Sequence, residues 1–286
     1  MDPSLLQIVL LGLIQGAAEL LPVSSSAHVI VAEKLMGFDP SLPTMTFLLV
    51  MLHTGTMLAV ILYFWKAWKL AFFRDRASFT TMLKSVAIAT AITLVMGLSL
   101  KKLIETLFLK GSSHGEIEDL FARLPLVASA LLIAGLMILW AAHKSEPKVS
   151  HPIGAVPALW IGASQGLCLP FRGLSRSGVT ISTGMLLGIQ HQRVEEFSFA
   201  LAVVITPPVV GQELLRLLRT SGASGNNFEL LPLLGPGMLG MLAAFIAGLG
   251  ALRLLSRWLD QGHWGWFGFY CLAFSGFVFV LASRGL

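Results

Sequence analysis

Two stretches of the chain concentrate side chains that handle protons and anions. The first, QGAAELLPVSSSAHVIVAEKLMG, covers residues 15–37 and carries Gln15, Glu19, Ser24, Ser25, Ser26 and His28. The second, QGLCLPFRGLSRSGVTISTGMLLG, covers residues 165–188 and carries Gln165, Arg172, Ser175, Arg176, Ser177 and Thr180. Gln15 and Glu19 are four apart and share one helix face. In each stretch a proline precedes a serine-containing turn and then an apolar run, so a helix is expected to begin at the serines. Free N–H groups and the helix dipole make such a start a place for an anion. Hydroxyls and an arginine fork suit phosphate oxygens. A carboxylate beside an amide suits a hard divalent cation, Mg2+ or Ca2+, that keeps some of its waters. An imidazole gives or takes a proton at neutral pH. These are the components of phosphoryl transfer: groups that hold charge, a nucleophile or activated water, and a proton donor for the leaving group.

The surroundings of these groups are apolar. The 286 residues are 55% hydrophobic and 12% charged, and the mean hydropathy is +0.79. Soluble domains carry about 25% charged residues. Apolar windows run from end to end, which predicts one integral membrane domain over 1–286 rather than a soluble enzyme. The net charge of +5 reads as basic residues in short loops beside spans, not as a surface for nucleic acid. The first basic residue is Lys34, so no positively charged leader region is expected. Cys168 and Cys271 have no metal or redox spacing and read as small packing residues.

Six segments are long enough to cross: about 44–65, 80–98, 124–142, 197–215, 230–252 and 264–283. Two more, 4–36 and 153–190, are broken near the middle. Neither half reaches the roughly 20 residues of a full span, which predicts two re-entrant helical hairpins. KAWKLAFFRDR (66–76) has four basic residues and one acid and is placed in the cytoplasm. The balanced loop 99–123 then falls outside, 143–148 inside, Arg253 and Arg257 inside, and Arg216, Arg219 and Arg284 outside. On this trace the first hairpin enters from outside and the second from the cytoplasm, each followed by three spans. That is an inverted repeat of halves 1–142 and 153–286, with a site expected where they meet. The spacing agrees: thirteen positions separate Ser24 from Gly37 and Ser175 from Gly188, and Ser26 and Ser177 hold equivalent places.

A lone serine in a membrane helix is ordinarily a packing or hydrogen-bonding residue. Three in a row after Pro22 are not explained that way. An ionisable group in the membrane interior costs about 2.5–3.5 kcal/mol on insertion scales, so Glu19, His28 and Arg176 read as functional. Arg172 is either a flanking charge or a ligand. His53, in MLHTGTML, reads as a core histidine more than as a cavity-lining one. Glu33 and Lys34 belong at the hairpin mouth, and Glu116, Glu118 and Asp119 in a solvated loop.

The chain resembles the bacterial undecaprenyl-diphosphate phosphatase family, also called the bacitracin-resistance protein family, over essentially its whole length. That family's first motif has Glu or Gln, three residues, Glu, then a Pro-Val-Ser-Ser run and a His; here it is Gln15, Glu19 and PVSSSAH. Its second motif, Pro-Gly-x-Ser-Arg-Ser-Gly before a Thr, is PFRGLSRSGVT here. Two departures stand out: Gln15 lacks the charge of an acid, and Phe171 and Arg172 separate Pro170 from Gly173. The resemblance implies hydrolysis of undecaprenyl diphosphate to undecaprenyl phosphate and inorganic phosphate, which recycles the carrier for peptidoglycan synthesis and confers bacitracin resistance. It implies a divalent cation, with Glu19 and Gln15 holding it or orienting a nucleophile, and a location in the bacterial inner membrane with the site toward the outer side. It implies that Arg176 binds the diphosphate and that Ser24, Ser25 and Ser26 cradle phosphate, one of them a candidate nucleophile. His28 is implied as nucleophile or acid–base group. Ser175, Ser177, Thr180 and Arg172 are the expected phosphate ligands of the second turn. Membrane lipids are the expected surroundings, and a homodimer is compatible with all of this.

Two other readings compete. The lipid phosphatases with a Ser-Arg-x5-His motif fail on spacing, because the sixth residue after Arg176 is Ser182. A polyprenyl-phosphate transporter or flippase shares the inverted repeat, as sole or second activity. Phosphate release in detergent, where no sidedness exists, separates it from an enzyme.

Overall fold

The computed structural model describes residues 3–38, 43–72, 74–108, 123–144, 153–223 and 230–284. These form ten helices: α1 (Leu5–Leu20), α2 (Ser25–Met36), α3 (Pro43–Phe72), α4 (Arg76–Phe108), α5 (Leu124–Lys144), α6 (Ala155–Cys168), α7 (Arg176–Leu186), α8 (His191–Ala223), α9 (Leu230–Asp260) and α10 (Trp264–Ser283). The architecture is all-α. Six helices, α3, α4, α5, α8, α9 and α10, hold stretches long and apolar enough to cross a membrane, so the chain is a multi-pass membrane protein, as its hydropathy predicts. Several run past the expected windows. α3 continues through Lys66 and Lys69, and α4 through Lys101 and Lys102. Lysine is a good helix former, and hydropathy registers only the apolar part of such a helix. The acids Glu116, Glu118 and Asp119 lie outside the described residues.

The other four helices are two short pairs, α1–α2 and α6–α7, at the segments expected to be broken. Both second members start and stop alike. Ser24 caps α2 by accepting from the Ala27 N–H at 3.5 Å, and Ser175 caps α7 by accepting from the Gly178 N–H at 3.2 Å. At the far ends Gly37 has φ 72° and Gly188 φ 78°, the left-handed conformation that glycine adopts without a Cβ penalty. Beyond each glycine the chain folds back on the helix, Phe38 N–H to the Glu33 carbonyl at 2.9 Å and Ile189 N–H to that of Gly184 at 3.2 Å. This is the helix stop in which the residue after the glycine satisfies a free carbonyl. The matched interval from serine to glycine therefore encodes the same local structure twice.

Long-range packing follows the correspondence in part. α1 lies along α9 as α6 lies along α4. A Cβ added to Gly16 would sit 2.4 Å from the Ala244 carbonyl oxygen, and one added to Gly162 would sit 2.4 Å from that of Ala89. Small residues that let backbones touch are how helices associate where lipid removes the hydrophobic drive. α5 pairs with α10, and α3 meets α8. The correspondence lapses where α3 packs along α9, since α8 only grazes α4. Large apolar side chains such as Leu62, Trp65, Val95, Ile246 and Phe269 face outward, while Gln15, Gln165, Ser175 and Thr180 are buried. That reverses the usual soluble pattern.

Gly16→Leu is expected to force α1 from α9, because the clash is with backbone and no side chain can swing away. Size-exclusion chromatography and thermal unfolding in detergent should show loss of the monodisperse folded species. A wild-type melting curve would mean that the contact does not hold the pair together.

Candidate active site

The two serine turns are tied to each other by reciprocal bonds. Ser26 Oγ accepts from the Gly173 N–H at 3.1 Å, and Ser177 Oγ donates to the Leu21 carbonyl at 3.2 Å. Each turn thus lends a hydroxyl to the backbone of the other. Gly173 has φ 102°, and an added Cβ there would lie 2.5 Å from the Val127 carbonyl oxygen of α5. The turn lengthened by Phe171 and Arg172 is therefore pressed against α5 at its glycine.

Across this junction Glu19 is the hub. Its Oε1 accepts from Arg176 Nη2 at 2.7 Å. Its Oε2 accepts from Ser25 Oγ at 2.5 Å and from Gln15 Nε2 at 3.2 Å. The carboxylate and the guanidinium are both mostly buried. Gln15 and Glu19 share a face of α1, as their spacing predicts, and Arg176 opens α7. Arg176 Nη1 is buried with no hydrogen-bond partner. Arg176 and Glu19 border a cavity of about 10 Å³ with Thr56 of α3 and Val203 and Thr206 of α8. Next along α8 are Pro207 and Pro208, which lack N–H groups, so the carbonyls of Val203 and Val204 lose their helical donors. Arg176 Nη1, a buried donor without a hydrogen-bond partner, belongs to a residue that borders this small space.

His53 belongs here, against the expectation of a core histidine. Its Nδ1 donates to the Leu49 carbonyl at 2.9 Å, so Nε2 is the free nitrogen, 4.0 Å from Glu19 Oε2. His28 is placed differently from the rest of the cluster. Its Nδ1 donates to the Ser24 carbonyl at 2.8 Å, which leaves Nε2 to accept from Tyr270 Oη at 2.7 Å. The ring stacks on Phe274 with centroids 4.1 Å apart. The imidazole thus rests against α10 while Ser25, one turn earlier, bonds Glu19. Tyr270 was invisible in sequence because it stands in an otherwise apolar span.

Ser24 Oγ lies 3.2 Å from Ser26 Oγ, and Ser24 is the one non-glycine with positive φ, 68°, among the described residues. Strain of this kind persists where surrounding bonds over-determine it, and it clusters at functional sites. Thr180 Oγ1 is buried against Ser198 Oγ at 2.6 Å and binds the Arg176 carbonyl at 2.8 Å, so it buttresses the start of α7. Ser175 is spent on its cap. Arg172 is exposed and lies within electrostatic reach of Glu33, which is buried rather than at an open mouth, while Lys34 is exposed. Gln165 turns away from the junction and donates to Thr93 Oγ1 of α4 at 3.1 Å. Cys271 packs against the Pro22 carbonyl and Cys168 against that of Ser164, as small packing residues do.

The family description "Bacitracin resistance protein BacA" matches residues 8–277. The chain belongs to this family. It is 56% identical to undecaprenyl-diphosphatase 2 of Acinetobacter baylyi, across 97% of this chain and 98% of that one. It is 34% identical to the undecaprenyl-diphosphatase of Desulfosudis oleivorans, across 99% and 100%. It is 32% identical to that of Desulforapulum autotrophicum, across 98% of both chains. In this BacA-family chain no three His, Cys, Asp or Glu side chains converge as a metal-ligand set among the described residues. Glu19 is the one carboxylate at the junction, and its oxygens already accept three hydrogen bonds. An ion there would have to displace those donors from Glu19 and draw the rest of its shell from waters and substrate phosphates, as Mg2+ does.

Ser26→Ala should cost more stability than Ser177→Ala, about 1–3 kcal/mol against about 1, because it strands a buried N–H donor rather than freeing a carbonyl. Thermal or denaturant unfolding in detergent checks the order. Two wild-type transitions would mean that the turns are joined by something else.

Proposed function

We propose that this protein hydrolyses undecaprenyl diphosphate to undecaprenyl phosphate and inorganic phosphate. The reading rests on one observation above the others: Glu19 holds the Ser25 hydroxyl on one oxygen and Arg176 on the other. Family membership over nearly the full length supports it. Recycling of the lipid carrier for peptidoglycan synthesis, and resistance to bacitracin by depletion of the diphosphate form, follow from this reaction.

In the proposed sequence the terminal phosphate settles over the serine turn. It takes backbone N–H donors at the start of α2 and the free Nη1 of Arg176. Engaging the guanidinium draws it from Glu19, so the carboxylate becomes available as a base. Ser25 Oγ gives its proton to Glu19 and attacks the terminal phosphorus. The bond from that phosphorus to the bridging oxygen breaks, and the negative charge that builds there is met by Arg176. Undecaprenyl phosphate leaves, its oxygen taking up the proton that Glu19 received from Ser25, while His28, anchored on the Ser24 carbonyl, holds the turn. Water gives a proton to the carboxylate so restored and attacks the phosphorus; the bond to Ser25 Oγ breaks, that oxygen takes the proton back from Glu19, and phosphate is freed. Ser24 and Ser26 hold the turn and its donors in place. Ser177 and Thr180 hold the start of α7, and Ser175 caps it. A divalent cation, when bound, would be held by Glu19 and Gln15 and would supply charge neutralisation for the diphosphate.

In this reading α1–α2 and α6–α7 are re-entrant hairpins of a single domain, inserted from opposite sides of the bacterial inner membrane. The serine turns meet at a site reached from the outer face. Every residue assigned above comes from one chain, so the chemistry needs no second copy.

Arg176→Ala should lower turnover by about a hundredfold or more, as removal of a preorganised charge partner does, in a protein that still folds but is less stable because Glu19 loses its buried partner. Arg172→Ala should raise the Michaelis constant and leave kcat in place, since the exposed guanidinium meets the anion on approach. Phosphate release from a C55 or C15 diphosphate by purified protein in detergent tests both. Near-normal release by Arg176→Ala defeats the site assignment, and wild-type protein that binds but never hydrolyses points to a lipid transporter instead. Chelation of divalent ions should stop release, and Gln15→Glu should lower the concentration of Mg2+ or Ca2+ that restores it. An unchanged metal titration in that variant removes residue 15 from the ion's ligands.

A further inference from the structure

His53 stands at the junction without a part in the reaction above. Its side chain, on α3, is 32% exposed. Nδ1 donates to the Leu49 carbonyl at 2.9 Å, one turn back in the same helix, so this bond fixes the ring without joining α3 to another element. A carbonyl only accepts, so the neutral imidazole carries its proton on Nδ1 and presents a lone pair at Nε2. That nitrogen is 4.0 Å from Glu19 Oε2. Glu19 pairs with Arg176 as a carboxylate, so its oxygen is an acceptor too. Two acceptors do not bond each other, and the gap is too long for a direct hydrogen bond. A water between them, about 2.8 Å from each, donates one hydrogen to each and turns its own lone pairs outward. Oε2 is also the oxygen that accepts from Ser25 Oγ, at 2.5 Å. That bond lasts only while Ser25 keeps its proton. In a phosphoserine, Oγ is bonded to phosphorus and has no hydrogen to give, so Oε2 is open to another donor beside the phosphorus that must be attacked.

We propose that His53 and Glu19 together hold the water that hydrolyses the phosphoserine. This role rests on the phosphatase reading and on Ser25 as its nucleophile. One O–H of the water donates to His53 Nε2 and stays there as a hydrogen bond. The other donates to Glu19 Oε2 and gives up its proton as the water oxygen bonds phosphorus. The bond from phosphorus to Ser25 Oγ breaks, that oxygen takes the proton back from Glu19, and phosphate leaves. No proton ends on His53, so its contribution is to orient the nucleophile. It has no such part in the first step, where Ser25 is both the nucleophile and the donor to Oε2.

The two half-reactions separate this role from a structural one. Wild type, His53→Leu and His53→Gln are mixed in detergent with farnesyl diphosphate carrying radioactive phosphorus in its terminal phosphate. The mixtures are quenched in acid, which phosphoserine survives, and Ser25→Ala supplies the blank. His53→Leu should lower steady-state kcat by about tenfold or more and retain more label on the protein than wild type, located at Ser25 by mass spectrometry. His53→Gln, whose amide oxygen also accepts, should bring kcat back toward wild type and remove the excess label. Calorimetric binding of a non-hydrolysable farnesyl methylenediphosphonate should be equal in all three, because His53 acts after the leaving group has gone. Melting in detergent checks the fold, and His53→Met takes the place of His53→Leu if that variant does not fold. Slow turnover without retained label overturns the proposal, since the loss then lies before the phosphoserine. An unchanged kcat in His53→Leu does the same, as does a His53→Gln protein that holds as much label as His53→Leu. Each of these leaves the phosphatase reading standing, whereas wild-type protein that releases no phosphate removes that reading and the proposal with it.

Discussion

The ion pair between Glu19 and Arg176 is the constraint on which the rest of the structure depends. It joins residues 157 positions apart at 2.7 Å, in a largely buried setting among membrane helices. A charge left alone there is expensive, and breaking a buried pair costs about 3–5 kcal/mol because the survivor stays uncompensated. The two turns must therefore arrive together. Reciprocal serine–backbone bonds fix their register, and glycine contacts of α1 with α9 and of α6 with α4 bring the broken helices close enough to do so. In the proposed reaction the same pair would hold the site in a waiting state, with Glu19 serving as a base once an anion takes the guanidinium away.

Much of this was legible because it is written in local chemistry. Proline and serine break the two short helix pairs, and the equal intervals from Ser24 to Gly37 and from Ser175 to Gly188 encode equal caps and stops. The i, i+4 spacing of Gln15 and Glu19 placed both on one face. Other features depend on which way a side chain leaves its helix, and spacing alone does not fix that. His28 has the right neighbours in sequence, yet its ring settles on Tyr270 and Phe274 of α10. Gln165 repeats Gln15 in sequence and bonds α4 instead, because Cys168 and Leu169 follow it where Glu19 follows Gln15. His53 read as core because a histidine in an apolar helix is silent about what packs opposite. Arg172 carries the motif's inserted charge and stands exposed near Glu33.

The likeness of the two short helix pairs is incomplete. Both short pairs share caps, stops and serine turns, but only the first turn carries an acid and only the second an arginine that meets it. A repeat with identical chemistry in both copies would oppose like charges at the junction. Here the two turns carry complementary groups at one junction: their like caps and stops supply matching geometry, and their differing residues supply opposite charge. The partial lapse in packing, with α3 along α9 but α8 barely on α4, leaves unequal surroundings on the two sides of that site.

Ser24 shows how tightly the pieces are coupled. A glycine would adopt φ 68° without strain, yet it would lose the hydroxyl that caps α2 and meets Ser26. The carbonyl of the same residue accepts from His28, so the strained backbone also sets the imidazole. Relaxing Ser24 would shift the cap, the link to the second turn through Ser26, and the histidine at once. Strain is retained at this residue because three separate bonds converge on it, one position before the Ser25 hydroxyl that touches Glu19.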